Sequence, residues 1–284
     1  MKIQITTLLF IVLLSACAEE DQELVIDQVI VPVAKQIVNE EMQGIIDSAN
    51  LNGAILIYDL QEDTYYANNY DWCNEGKLPA STFKIINTII GLECNVIESD
   101  STIFKWDGKK QWSKNWEQDL VLNDAFHYSC VPCYQGVARQ VGVKQMNKYI
   151  TKLAYGTMLI DSSNLDLFWL EGESKINQFE QIDFLKRFYQ TELPITNRTH
   201  QIMKKLMVIE TTDAYTISGK TGWAMRNGND NGWFVGYIET KDKVYLFATN
   251  VEPKKDFDIN TFAKVRKEVT YKAFQLLNIA TPNS

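Results

Sequence analysis

Three apolar runs late in the chain constrain its fold more than any other feature. Tyr215 to Thr221, Gly232 to Ile238 and Lys243 to Thr249 are rich in β-branched and aromatic residues. Such runs read as strands, and sequential strands with short connections pair as an antiparallel meander. Strand signal also appears near the other end. Gly53 to Asp59 reads as a buried strand, and Thr64 to Ala67, after the polar turn Gln61 to Asp63, as its hairpin partner. Between these two groups, from about Asn95 to Glu210, helical spacing dominates, as in Pro132 to Val141, Val143 to Leu153 and Gln178 to Tyr189.

The implied fold is α+β. An antiparallel sheet of about five strands joins the early hairpin to the late meander, with a mostly helical lobe, about 70–210, inserted between them. Helices flank the sheet at both ends of the chain. One is expected over Val33 to Ile46, and one over Thr261 to Leu277, apolar at Phe262, Val265, Val269 and Phe274. Trp106, Trp112 and Trp116 follow no strand period, and packing against the core is their expected role.

The first residues carry a different signal. Met1-Lys2 precedes an apolar run from Ile3 to Leu14, too short to span a bilayer and of the length of a secretory signal core. It ends in Leu14-Ser15-Ala16-Cys17, which resembles the box at which bacterial lipoproteins are cut before a lipid-bearing cysteine. An ordinary signal peptide with a chance cysteine is the alternative. The expected organisation is a signal peptide over 1–16, lipidation at Cys17, an acidic tether over 17–30 and one catalytic domain over 31–284, periplasmic and held to the membrane through lipid.

Charge and composition exclude some chemistries. A net charge of −8 argues against a broad nucleic-acid footprint, which needs clustered Lys and Arg. Only His127 and His200 are present, without metal-ligand spacing, so a histidine metal site or serine triad lacks material and no metal is expected.

Ser81 and Lys84 offer another route. Residues three apart share a helical face, and Pro79 suits a first turn, so a helix over about Ser81 to Leu92 sets the hydroxyl near the N–H-rich end with the amine beside it. Lys84 is followed by Ile85-Ile86, surroundings that favour loss of its proton and a role as base for the Ser81 hydroxyl. Alone the spacing is equally an ordinary buried helix start.

Its weight comes from company. Ser129-Cys130-Val131 falls in a turn before a helical pattern, and Lys220-Thr221-Gly222 at a strand end. S-x-x-K followed by K-T-G marks serine β-lactamases and penicillin-binding proteins. Together with Tyr155-Gly156, Phe168-Trp169-Leu170-Glu171-Gly172, Lys220-Thr221-Gly222-Trp223 and Gly232-Trp233-Phe234-Val235-Gly236, these motifs make residues 30 to 280 resemble the class D, oxacillinase-type, serine β-lactamases.

That resemblance implies hydrolysis of β-lactams. Ser81 would be the nucleophile that becomes an acyl-enzyme, and Lys84 the general base, N-carboxylated by CO2 (N6-carboxylysine), with no other cofactor. Val131 and Trp169 would line the lysine's pocket, the Trp169 indole N–H donating to the carbamate. Ser129 would pass a proton towards the lactam nitrogen, and Lys220 would supply positive charge beside it. The N–H groups of Ser81 and Trp223 would form an oxyanion hole. Thr221 and Gly222 belong to the substrate edge, and Arg266 in the last helix would bind the substrate carboxylate. One departure is Tyr155-Gly156-Thr157 where the family usually has asparagine third, which implies altered loop hydrogen bonding.

Other readings share these residues. Cys130-Val131-Pro132-Cys133 is a C-x-x-C motif, as in thiol–disulfide proteins, although no βαβ unit precedes it. A structural disulfide suits an exported chain better. Cys73, Cys94, Cys130 and Cys133 allow three full pairings, and spacing does not choose among them. A penicillin sensor domain, which stays acylated, and a transpeptidase share the three motifs. The apparent absence of a preceding membrane-embedded region favours a hydrolase over the sensor, and the Trp169 segment over the transpeptidase.

Overall fold

The computed structural model describes residues 34–226 and 229–282. The expected signal peptide, Cys17 and the expected tether lie outside the described residues. Among those described, no helix is long and apolar enough to cross a membrane.

The chain begins with β1 (Lys35–Val38), α1 (Glu40–Ser48), β2 (Leu51–Asp59), β3 (Thr64–Ala67) and α2 (Tyr70–Asn74). A 3-10 turn at Ala80–Phe83 leads into α3 (Lys84–Glu93). The lobe continues through β4 (Ile103–Phe104), β5 (Leu120–Val121), α4 (Leu122–His127), α5 (Val131–Leu153), α6 (Gln178–Tyr189) and α7 (Asn197–Leu206). Then come β6 (Val208–Thr211), β7 (Tyr215–Arg226), β8 (Asn229–Thr240), β9 (Val244–Pro253) and α8 (Phe262–Leu276).

Seven strands form the main sheet, in the order β1-β3-β2-β9-β8-β7-β6, with β4 and β5 a separate ribbon. The early hairpin meets the late meander where Leu56 faces Ala248 across β2 and β9. The two strands beyond the expected five are short edges. β1 runs parallel to β3 from Lys35↔Thr64 to Val38↔Ala67. It replaces the first half of the helix expected over Val33 to Ile46, because β3 offers its open edge to Lys35–Val38 and Asn39 then caps α1 by accepting from the Met42 N–H at 3.1 Å.

Both faces of the sheet are covered, which explains why its strands are continuously apolar. Alternate residues divide between two cores. Ile55 and Ile57 of β2, Phe234 of β8 and Phe247 of β9 pack with Met42 and Ile46 of α1 and Phe274 of α8. Their neighbours Leu56, Val235 and Ala248 join Phe83, Ile86, Tyr134 and Trp169 from the lobe. At the start of α6, Gln178 Nε2 donates to the carbonyls of Ala54 and Ala248, fastening the lobe to the β2–β9 seam.

The helices expected over Pro132 to Val141 and Val143 to Leu153 are the two halves of α5, separated by a kink at Gly142, whose non-helical φ of +76° glycine tolerates. Of the three tryptophans, only Trp116 is buried. Trp106 and Trp112 are 40% and 77% exposed, because the segment that carries them lies on the outside of the lobe.

The central strands pack too closely for a side chain at Gly236, where a Cβ would lie 2.0 Å from the Ser218 carbonyl oxygen. Gly236→Ala therefore forces β7 and β8 apart and is expected to cost about 3 kcal/mol. A urea midpoint equal to that of the wild type would contradict this packing.

Candidate active site

Ser81 and Lys84 stand where two local structures meet. Ser81 lies in the 3-10 turn and Lys84 opens α3, so the i, i+3 pair shares a face and Lys84 Nζ donates to Ser81 Oγ at 2.9 Å. The helix expected from Ser81 thus begins as a tighter turn. Ala80, just before the nucleophile, has a φ of +51°, which an L-residue adopts only when its surroundings hold it there. Three contacts do so: the Ala80 N–H donates to the Trp169 carbonyl at 2.8 Å, the Trp233 indole to the Leu78 carbonyl at 2.8 Å, and the Thr82 hydroxyl to the Pro79 carbonyl at 2.6 Å.

Lys84 is fully buried and Ser81 is 8% exposed. No carboxylate pairs with Lys84 among the described residues; its ammonium position faces the Tyr134 ring at 5.3 Å. Burial without a counter-charge penalises the protonated form and brings Lys84 down from 10.5 to about 7. A substantial fraction of the amine is then neutral near neutral pH.

Opposite this pair, Lys220 Nζ donates to Ser129 Oγ and, at 3.1 Å, to the Thr221 carbonyl. Ser129 sits in the turn between α4 and α5 with a φ of +53°. Lys220, Thr221 and Gly222 lie within β7 rather than at a strand end, since β7 and β8 pair on to Arg226↔Asn229. What ends is the neighbour: β6 pairs with β7 only from Thr216 to Ser218. The outer edge of β7 beyond that point faces the Ser81 turn. At Gly222, a Cβ would be 3.1 Å from the Pro79 carbonyl oxygen, so glycine lets the strand approach the turn without pushing it back.

Arg266 of α8 reaches the same edge, donating from Nη1 to the Gly222 carbonyl, with its guanidinium 5.7 Å from the centre of the Trp223 ring. Its Nε is buried without a partner among the described residues. Burial, together with Lys84 and Arg266, pulls Lys220 well below its ordinary value. Arg266, lowered by burial only to about 10, keeps its positive charge within a chain of net charge −8, and no described carboxylate pairs with Lys84, Lys220 or Arg266. Such a site favours an anionic ligand.

Trp169 is buried, stacked on Phe83 at 5.6 Å between ring centres, and its Nε1 has no hydrogen-bond partner among the described residues. An orphaned buried donor costs free energy unless a ligand or modification satisfies it. Val131, partly buried, begins α5. Thr157 lies in an isolated bridge with Lys175, where backbone bonds of 2.8 Å hold the loop whatever the side chain at 157. His127 is exposed and His200 is buried with a ring nitrogen 2.9 Å from the Phe188 carbonyl, so both stand in structural positions.

Two site residues escaped sequence reasoning. Tyr134 packs over Lys84 and shares a 2.8 Å hydrogen bond with Thr88, and Phe126 faces Lys220 Nζ at 5.6 Å. The helical spacing Val131 to Tyr134 was the one available signal for the first. Of the four cysteines, Cys130 pairs with Cys133, while Cys73 and Cys94 are free.

The arrangement defines a serine acyl-transfer site, and similarity to known proteins narrows it. Residues 47–275 match the penicillin binding protein transpeptidase domain model. The chain is 36% identical over 228 residues to Beta-lactamase OXA-10 of Pseudomonas aeruginosa, covering 79% of this chain and 84% of that one. The crystal structure of a class D beta-lactamase from Sebaldella termitidis superposes with a TM-score of 0.83 at 33% identity, covering 87% of this chain and 99% of that one. FUS-1 (OXA-85), a class D beta-lactamase from Fusobacterium nucleatum subsp. polymorphum, gives a TM-score of 0.80 at 37% identity, covering 86% and 99%. The chain belongs to the penicillin-binding transpeptidase-domain family and, within it, to the class D serine β-lactamases.

Burying Lys84 has a cost that can be read as a function of pH. Between about 7 and its unfolded value near 10.4 the unfolded chain binds more protons at Lys84 than the folded one, so raising pH across that window stabilises the fold. Lys84→Met removes the buried amine and is expected to stabilise the protein by about 3 kcal/mol below pH 7, an advantage that shrinks towards pH 10. Urea unfolding of both proteins from pH 6 to 10 checks this; a difference independent of pH would show that Lys84 is not depressed.

Proposed function

We propose that this chain hydrolyses β-lactams through an acyl-enzyme on Ser81, with Lys84, N-carboxylated by CO2, as general base. The observation that carries the reading is the buried Lys84 amine, 2.9 Å from the Ser81 hydroxyl and without a counter-ion.

Lys84, as general base, takes the Ser81 proton as Oγ attacks the lactam carbonyl, and the developing oxyanion is met by the backbone N–H groups of Ser81 and Trp223. The C–N bond then breaks, and its nitrogen needs a proton. Ser129 hands one over, with Lys220 Nζ behind the hydroxyl to stabilise negative charge on its oxygen and to replace the proton. Thr221 and Gly222 line the edge along which the substrate lies. Arg266, with an unpartnered Nε, is the cation for the substrate carboxylate, and its planar fork suits a two-oxygen acceptor. In the second half, water attacks the ester and Ser81 leaves.

The residues around Lys84 fit carboxylation. CO2 adds only to a neutral amine, a condition that burial supplies. The orphaned Trp169 Nε1 is the donor a carbamate oxygen would satisfy, with Val131 contributing to an apolar wall. When present, the carbamate would give Lys84 an acid–base group for activating both Ser81 and the hydrolytic water. Attachment to the periplasmic side of a membrane through lipid on Cys17 belongs to the same proposal and is supported by Leu14-Ser15-Ala16-Cys17.

The purified full chain mixed with a chromogenic cephalosporin is expected to turn over many equivalents, faster with bicarbonate than without. Ser81→Ala is expected to lose covalent labelling in mass spectrometry. Acylation of one equivalent without turnover under both conditions would favour a penicillin sensor, and persistent labelling of Ser81→Ala would remove Ser81 from its role.

A further inference from the structure

The Ser129 turn contains a covalent feature that the reaction as described does not use. Ser129 holds a left-handed backbone, φ +53°, which a serine adopts at a cost. Backbone bonds close the turn on its α4 side: Tyr128 N–H to Asp124, Ser129 N–H to Phe126 and Cys130 N–H to Ala125, at 2.8, 3.1 and 2.9 Å. On the α5 side the fixing is different. Cys130 is the residue before the helix, and its sulfur accepts from the Cys133 N–H at 3.3 Å, where a helix ordinarily has Ser, Thr, Asp or Asn. The same sulfur is bonded to Cys133.

The bridge therefore spans the first turn of α5 and encloses Val131 and Pro132. A link over so few residues restricts the unfolded chain far less than one closing a long loop. Its main effect is local: it ties Cys130, the immediate neighbour of Ser129, to the helix. Cys130 is 1% exposed, whereas Cys133 is partly exposed. Both line a cavity of about 330 Å³ together with Phe104, Trp106, Trp116, Pro132 and Arg139. None of Ser81, Lys84, Ser129, Trp169, Lys220 and Arg266 lines it, so the disulfide is approachable by a route that does not use the catalytic groups.

We propose that the Cys130–Cys133 disulfide is a positioning element for Ser129 in the acylation half of the reaction, and that a dithiol reaching it through this cavity slows that half. This rests on the β-lactamase reading above. A thiolate of the dithiol attacks Cys133 Sγ and the Cys130 sulfur leaves as thiolate; the dithiol's second sulfur then attacks its first, breaking the mixed disulfide and releasing Cys133 as thiolate. Two electrons and two protons pass to Cys130 and Cys133, and the dithiol becomes a cyclic disulfide. The freed turn lets Ser129 drift from Lys220 Nζ, and proton delivery to the lactam nitrogen loses its alignment. Deacylation, in which water attacks the Ser81 ester, does not call on that proton and keeps its rate.

The test compares the oxidised full chain, the same protein reduced with dithiothreitol and desalted, and the double variant Cys130→Ser, Cys133→Ser. The serine at 130 keeps a helix-capping acceptor, so folding is expected to survive. A thiol titration should find two more thiols after reduction. Stopped-flow acylation by a chromogenic cephalosporin is expected to slow about 10-fold in the reduced protein and in the variant, with the deacylation constant unchanged. Reoxidation should restore the wild type and not the variant. Acylation at the oxidised rate in both reduced protein and variant would overturn the proposal, as would equal slowing of both steps, the mark of a general structural loss. Failure of the oxidised wild type to acylate at all would instead overturn the β-lactamase reading.

Discussion

A lysine amine with no counter-charge among the described residues, fully buried 2.9 Å from a serine hydroxyl, is the constraint to which the surrounding structure answers. Burial of an unpaired amine is expensive, and a protein tolerates it only where neighbouring elements fix the site. Here the fixing is distributed. The Ser81 turn is held by Trp169 and Trp233 through backbone carbonyls, and by a β7 edge whose glycine at 222 allows the strand to come close. The lobe is anchored to the sheet by Gln178. The reactive pair is therefore positioned by both the lobe and the sheet.

The same physics links the other cations. Lys220 and Arg266 approach the site from the sheet and from α8, and burial, followed by repulsion from Lys84 and Arg266, lowers the proton affinity of Lys220. Arg266, without a carboxylate partner among the described residues, keeps its charge and gives a local positive field in an acidic chain. That field suits a substrate bearing a carboxylate and a carbonyl that becomes an oxyanion. In the proposed mechanism the two serines take opposed roles set by their surroundings: Ser81 beside a buried amine that takes a proton, Ser129 beside one that gives a proton back.

Much of this was legible in the sequence, for identifiable reasons. The central strands sit between two cores, so their residues are apolar without a break and stand out as strands. Ser81 and Lys84 are local neighbours, and a three-residue spacing reports their meeting directly. The edge strands were not legible. Most of β1 is exposed and it pairs in parallel with a segment well along the chain, so Lys35–Val38 carries no period that would distinguish it from the helix after it. The length of β7 was hidden because Gly222, Ala224 and Arg226 lack the β-branched side chains that mark a strand. The unpartnered Trp169 nitrogen depends on how distant segments come together, which no spacing states, whereas the Cys130–Cys133 pairing is local and is one of three that the cysteine count left open.

The central claim is that Lys84 is neutral enough to carry CO2 and uses that group in catalysis. The most direct measurement is a carbon-13 NMR spectrum of the protein equilibrated with labelled bicarbonate. A single carbamate resonance is predicted, present in Ser81→Ala, absent in Lys84→Ala, and lost as pH falls below about 7 in parallel with turnover. A spectrum without that resonance from a protein at full activity, or a resonance that survives in Lys84→Ala, would contradict the account.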